Sequence, residues 1–261
     1  MADLKHLGRG DPNCIFCPGK ADSREHVWPR WVLERFRVPA SGVIGMVGDD
    51  SYQDRNQNAL RLRCVCRTCN TGWMKELEDQ VIPLASSLAQ DLAIPIPWDQ
   101  QTLVAVWAMK TTLVWEQFSA SNRRLFYLDE HREGLRTSRN MPENTEVVLA
   151  RYAGQPLLFC ATRDMTDDPA VEGADPMFRA VSTEIVFGRL AIQVLSWRTL
   201  MVDRVARMPE VTSPLEECTV RIWPPTRMAR WPPRLSVGSD VPFEILQKRW
   251  GISPLKPPRS T

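Results

Sequence analysis

The chain lacks any run of about 18 consecutive apolar residues, which leaves no candidate for a membrane-spanning helix. Its first residues, MADLKHLGRGDPNC, lack the uninterrupted apolar core of a secretory signal, so a cytoplasmic location is expected. No surplus of one charge exists either. The 33 Lys and Arg stand against 31 Asp and Glu, a formal charge of +2, so any contact with a polyanion has to be local. No internal repeat is present, and histidine is scarce, with three in 261 residues. What is there is ordinary in bulk: 43% hydrophobic residues suit a globular protein with a sizeable core, as one large domain or as a small module plus a larger one.

The cysteines are not ordinary. In a reducing compartment disulfides are disfavoured, and five of the seven cysteines crowd into two groups near the N-terminus. CIFC at residues 14 to 17 and CRTC at residues 66 to 69 supply four thiolates, the donor set from which proteins build a closed tetrahedral zinc site with bonds of about 2.3 Å. Cys14, Cys17, Cys66 and Cys69 are therefore the expected ligands. The 48 residues between Cys17 and Cys66 exceed the usual gap of about 15 to 20, so that segment must itself fold over the metal. Cys64 shares a strand face with Cys66 and either substitutes as a ligand or packs. Cys160 and Cys218 read as small buried hydrophobes.

Patterning predicts an α+β protein with a small N-terminal module, residues 1–82, and a larger α+β domain, residues 83–261. REHVWP reads as a short extended segment ending at Pro29, and RWVLERF as a brief helix closed by Pro39 and Gly42. GVIGMVGDDSYQDRNQN is rich in turn residues and reads as loop. ALRLRCVC alternates, with Leu60, Leu62, Cys64 and Cys66 on one face and Arg61, Arg63 and Val65 on the other, as a strand does. A helix follows from NTGWM, with Trp73, Leu77 and Val81 about one turn apart and Pro83 as a kink or break. QTLVAVWAMKTTLVWEQFSA is apolar around most of its circumference and reads as a buried helix. TEVVLARYAG and PLLFCATRDM read as a hairpin turning at GQ, EIVFGRLAIQVLSW and CTVRIWP as further strands, and VPFEILQKRWG as a terminal helix.

Within the long gap lies Arg24-Glu25-His26-Val27-Trp28-Pro29, a histidine beside a carboxylate: one group to deprotonate water and one to bind a cation. The order CIFC, REHVWP, strand, CRTCNTGWM resembles the zinc-supported HNH (ββα-metal) endonucleases over about residues 12 to 80. Their pattern runs Cys-x-x-Cys, Asp/Glu-His-x-x-Pro, a middle Asn, then Cys-x-x-Cys-Asn/His at a helix start. The GWM and LE after the second pair are similar to small phage and bacterial HNH proteins, which implies a phage or defence setting. The resemblance implies a ββα-metal module in which His26 is the general base and Glu25 and Asn70 hold Mg(II) or Mn(II) against a phosphodiester, while zinc is structural. Glu25 stands where the family more often has Asp, Asn70 where many members have His, and Asn58 or the nearby Asn56 is the candidate middle Asn.

Arg24, Arg30, Arg61, Arg63 and Arg67 surround this constellation, as phosphate contacts or as a solvated face. Between Val220 and Thr261 the residues Arg221, Arg227, Arg230, Arg234, Lys248, Arg249, Lys256 and Arg259 interleave with Trp223, Trp231 and Trp250. They form either a nucleic-acid surface or a Pro-rich cover packed on the core. Two functional readings stay open: a nuclease acting on DNA, with RNA not excluded, or a zinc-knuckle binding or regulatory protein with a degenerate HNH pattern. No membrane partner is expected, and a homo-oligomer is compatible with either.

Overall fold

A computed structural model describes residues 13–26, 28–36, 43–47, 50–53, 61–119, 125–154, 158–166, 178–199 and 217–237. The long apolar segment forms α4 (Trp98–Ser119), with Val104 through Met109 and Leu113 through Trp115 all buried. Apolar residues right round a helix demand partners right round it. Accordingly α4 contacts α3 (Lys75–Ala89), α5 (Asp129–Ser138), β4 (Arg61–Val65), β7 (Leu158–Thr166), β9 (Leu190–Thr199) and β10 (Thr219–Trp223). No helix among the described residues is long and apolar enough to cross a membrane.

The large sheet has seven strands in the order β10-β6-β9-β8-β7-β2-β3, where β6 is Thr145–Arg151, β8 Phe178–Phe187, β2 Val43–Val47 and β3 Asp50–Gln53. All pairings are antiparallel except β2 on β7. Val181, Ile185, Phe187, Ile192 and Val194 on its inner face join the cluster around α4, while Val148, Phe159, Val186 and Ala191 belong to a second cluster. The β8–β9 hairpin turns at Gly188, whose φ of +58° suits glycine, and a Cβ there would lie 2.6 Å from the Ala89 carbonyl oxygen.

Two small antiparallel pairs complete the described sheets, β1 (Ser23–His26) with β4 and β11 (Met228–Trp231) with β5 (Ile94–Pro97). After β1 comes α1 (Arg30–Arg35), whose Trp31 packs edge-on to Phe187 at 5.6 Å and tilted to Trp107 at 6.0 Å. One buried cluster thus runs from Cys14 to Trp231, and residue 82 lies within α3.

Three expectations are corrected. The segment read as loop contains β2 and β3, because its glycines and turn residues hid a short apolar run, β2, that pairs with β7 on one side and with the polar β3 on the other. The strands β6 and β7 do not pair with each other: the β8–β9 hairpin lies between them in the sheet. Pro83 does not end its helix, since α3 continues to Ala89 with Leu77, Val81, Leu84 and Leu88 buried. The ends assigned to RWVLERF at Pro39 and Gly42, and the terminal helix from Val241, lie outside the described residues. Of the basic tail, Trp231 is buried in the core and Trp223 packs against it, as a cover does, while Arg221, Arg227 and Arg230 are exposed. Arg234 lies 3.9 Å from Glu217; Lys248, Arg249, Lys256, Arg259 and Trp250 lie outside the described residues. Cys160 is buried as expected, and Cys218 only partly.

The turn after α4 hangs on one carboxylate. Glu116 accepts from the backbone amides of Phe126 (2.6 Å) and Tyr127 (3.1 Å) and from Arg132 (2.8 Å), all buried. Arg132→Met removes the counter-charge but not the carboxylate, and is expected to lower stability by about 3–5 kcal/mol, read as a shift of the urea midpoint.

Candidate active site

The first knuckle is a tight turn, closed by the Cys14 amide donating to the Gly19 carbonyl at 2.7 Å and by a bridge between Asn13 and Lys20. Gly19 packs closely there: a Cβ would lie 3.3 Å from Cys17 Sγ, a tight contact. The second knuckle ends β4 and opens α2 (Arg67–Cys69), where Cys66 caps the helix by accepting from the Cys69 amide. The four sulfurs of Cys14, Cys17, Cys66 and Cys69 all lie within 4.8 Å of one another. Cys17 Sγ is 3.6 Å from Cys66 Sγ and 3.7 Å from Cys69 Sγ. A tetrahedron with metal–sulfur bonds of about 2.3 Å has edges of about 3.8 Å, so the donor set fits a four-thiolate structural metal site. Burial pushes the Cys14 and Cys69 thiols up, so ionising the set calls for a bound cation. Cys64 is not among the four. It is buried, and burial together with the Glu25 charge pushes its pKa up to about 12, the setting of a packing residue.

Beyond α2 the chain makes one π-helical turn, Asn70–Met74, before α3. Gly72 breaks the helical dihedrals there with φ −94° and ψ −113°. A π turn widens the helix by one residue and commonly sits at functional positions. Here it carries Asn70, whose side-chain amide donates to Ser23 Oγ on β1 at 2.8 Å. Trp73, expected in the helix core, is half-buried between an edge contact to Phe16 at 4.9 Å and the Arg139 guanidinium at 4.8 Å.

β1, the start of α1, the π turn and the start of α3 frame a cleft of about 220 Å³ lined by Glu25, His26, Arg30, Asn70, Lys75 and Glu78, with Pro29, Thr71 and Met74. Three residues expected to act together, His26, Glu25 and Asn70, do line one cavity. Glu25 pairs across from Leu62 and His26 from Arg61, after a register irregularity between Ser23 and Glu25. His26 is half-buried. Burial, then the Arg61 charge, and Arg30 more weakly, hold its imidazole below the ordinary range against the pull of Glu78. The neutral ring is the form that takes up a proton.

Glu25 is 7% exposed, and burial raises its pKa against the opposing charge of Lys110. Lys110 comes from the middle of α4 and is itself 1% exposed. Its Nζ lies 2.7 Å from Glu78 Oε1 and 3.5 Å from Glu25 Oε1. Burial disfavours the ammonium, but Glu78 and Glu25 outweigh it, so its pKa is raised.

No protein-family model, curated protein or solved structure matches the chain. The geometry therefore stands alone. As donor types, carboxylate and amide oxygens suit hard divalent cations, whereas four thiolates suit a soft or borderline one. Glu25, Asn70 and His26 thus offer a carboxylate, an amide and an imidazole to one cleft, the kinds of group that cation binding and proton transfer call for.

The expected phosphate contacts divide. Arg30 lines the cleft, exposed, with an ion pair to Glu34 at 2.8 Å. Arg61 is exposed opposite His26, and Arg24 and Arg67 are exposed nearby. Arg63 is tied back, its Nε donating to the Ala21 carbonyl at 2.9 Å. Asn58 and Asn56 lie outside the described residues. Sequence reasoning missed Glu78, Lys110 and Ser23 at this site. A lysine amid the apolar residues of a helix expected to be buried was the available signal, since a buried ammonium needs a carboxylate partner.

Proposed function

We propose that the chain is a metal-dependent endonuclease of the HNH type that hydrolyses phosphodiester bonds of DNA. The observation that carries this reading is the convergence of His26, Glu25 and Asn70 on one cleft directly beside the four-cysteine cluster. His26 takes the proton of the attacking water. Glu25 and Asn70 hold Mg(II) or Mn(II), which when bound would supply charge stabilisation to the phosphate and the leaving 3′ oxygen. Structural zinc on Cys14, Cys17, Cys66 and Cys69 keeps Asn70 at its distance from β1, because Asn70 follows a ligand directly. Arg30 and Lys75 line the cleft and Arg61 lies across from His26, and these cations meet the flanking phosphates, giving affinity without base specificity.

Supercoiled plasmid is the test substrate, with single-stranded RNA in a parallel arm. The expected result is nicking or linearisation in Mg(II) or Mn(II), abolished by EDTA, with protein-bound zinc measured in the same samples. Salt-dependent binding with plasmid left intact under both metals would instead make the protein a zinc-knuckle binder and overturn the nuclease reading.

A further inference from the structure

Two carboxylates and one ammonium meet under the cleft, and their contacts are unequal. Lys110 Nζ is 2.7 Å from Glu78 but 3.5 Å from Glu25. The side chains are 2% exposed for Lys110, 9% for Glu25 and 21% for Glu78, so solvent screens their mutual forces poorly. Formally the group carries one surplus negative charge. A divalent cation arriving at Glu25 is attracted by that surplus and repelled by the ammonium a few ångströms away. The shorter contact determines which carboxylate is left for it: Lys110 is held on Glu78, and Glu25 keeps only the long one.

We propose that Lys110 and Glu78 act as a pair that sets how tightly the cleft holds its divalent cation. Glu78 draws the ammonium off Glu25, and Lys110 limits the negative charge gathered beneath the ion. The inference rests on Glu25 being a metal ligand, as in the function proposed above. Both members are positioning residues, since they act on the ion through Glu25. The pair also ties the cleft to α4, the helix at the centre of the fold, so the cation site is set partly from outside the knuckle segment.

The probe is Mn(II), titrated into the zinc-loaded full-length chain without nucleic acid and followed by the paramagnetic resonance signal of free Mn(II). Glu78→Gln removes one negative charge and turns Lys110 to Glu25, so the Mn(II) dissociation constant should rise at least about tenfold. Lys110→Met removes the competing cation, and the constant should fall at least about tenfold. The double variant restores the net charge and should return to within about threefold of the native chain. Packing damage alone would weaken binding in all three, and Glu78 as a direct ligand would leave the double variant as weak as Glu78→Gln; either pattern overturns the proposal. If Lys110→Met fails to fold, shown by lost zinc and no cooperative melting, the contrast between Glu78→Gln and the double variant decides. A native chain that binds Mn(II) and cleaves, with all variants binding alike, defeats this inference alone. A native chain that neither binds Mn(II) nor cleaves defeats the nuclease reading beneath it.

Discussion

Replacing His26 with alanine is expected to slow DNA cleavage by at least about two orders of magnitude while zinc content and melting temperature stay near native values. Such a loss corresponds to roughly 2.7 kcal/mol of transition-state stabilisation, the scale at which a positioned general base contributes. The fold should tolerate the change because His26 is half-buried at the end of β1 and faces a cleft, so truncation opens no sealed cavity. The large aromatic contacts nearby are made by Trp31 and Phe16, which the substitution leaves in place. The checks are plasmid cleavage at saturating Mn(II), metal analysis and a thermal melt. Undiminished cleavage by a folded, zinc-loaded variant would remove His26 from the mechanism.

The second large effect separates two neighbours in sequence. Cys69→Ser should lose both bound zinc and cleavage, whereas Asn70→Ala should lose cleavage and keep zinc. Cys69 is buried, one of four sulfurs within 4.8 Å, and its amide donates to Cys66 Sγ. Binding of a structural zinc is itself folding free energy, so a missing ligand loosens both knuckles and the start of α2 together. Asn70 touches none of the sulfurs in this way. Its one side-chain bond, to Ser23 Oγ, is a part-buried neutral contact, and its loss costs on the order of 1 kcal/mol. Zinc stoichiometry by elemental analysis, set against cleavage rate for both variants, reads the difference. If Asn70→Ala also sheds zinc, Asn70 belongs to the knuckle and the oxygen-ligand role assigned to it fails.

Much of this site was legible in the chain. Two Cys-x-x-Cys pairs are a local, chemically specific signal, and the expected sulfurs did gather as one set. The alternation of Leu62, Arg63 and Cys64 gave a strand where β4 lies, and the apolar circumference of the segment after Gln101 gave a helix buried on every side. The misses share a cause. β2 and β3 looked like loop because turn residues surround two short strands, and their place in a sheet depends on the pairing of β2 with β7, more than a hundred residues later. The hairpin expected at β6 and β7 failed because chain proximity does not decide sheet neighbours when a tighter hairpin, β8–β9, can insert between them.

Glu78 and Lys110 show the same division at the scale of single side chains. Helical periodicity placed Lys110 on α4 and the run after Trp73 on a helix, but nothing in the spacing said that these two helices cross beneath Glu25. The sequence by itself determined which residue types are available for chemistry near one another in the chain: four thiols, one imidazole beside one carboxylate, and an asparagine directly after a cysteine pair. These are properties of residue type and of short-range backbone geometry. Only the tertiary structure decided which charges face one another, because Coulomb forces between Glu25, Glu78 and Lys110 become strong when packing brings them within a few ångströms and removes the water between them.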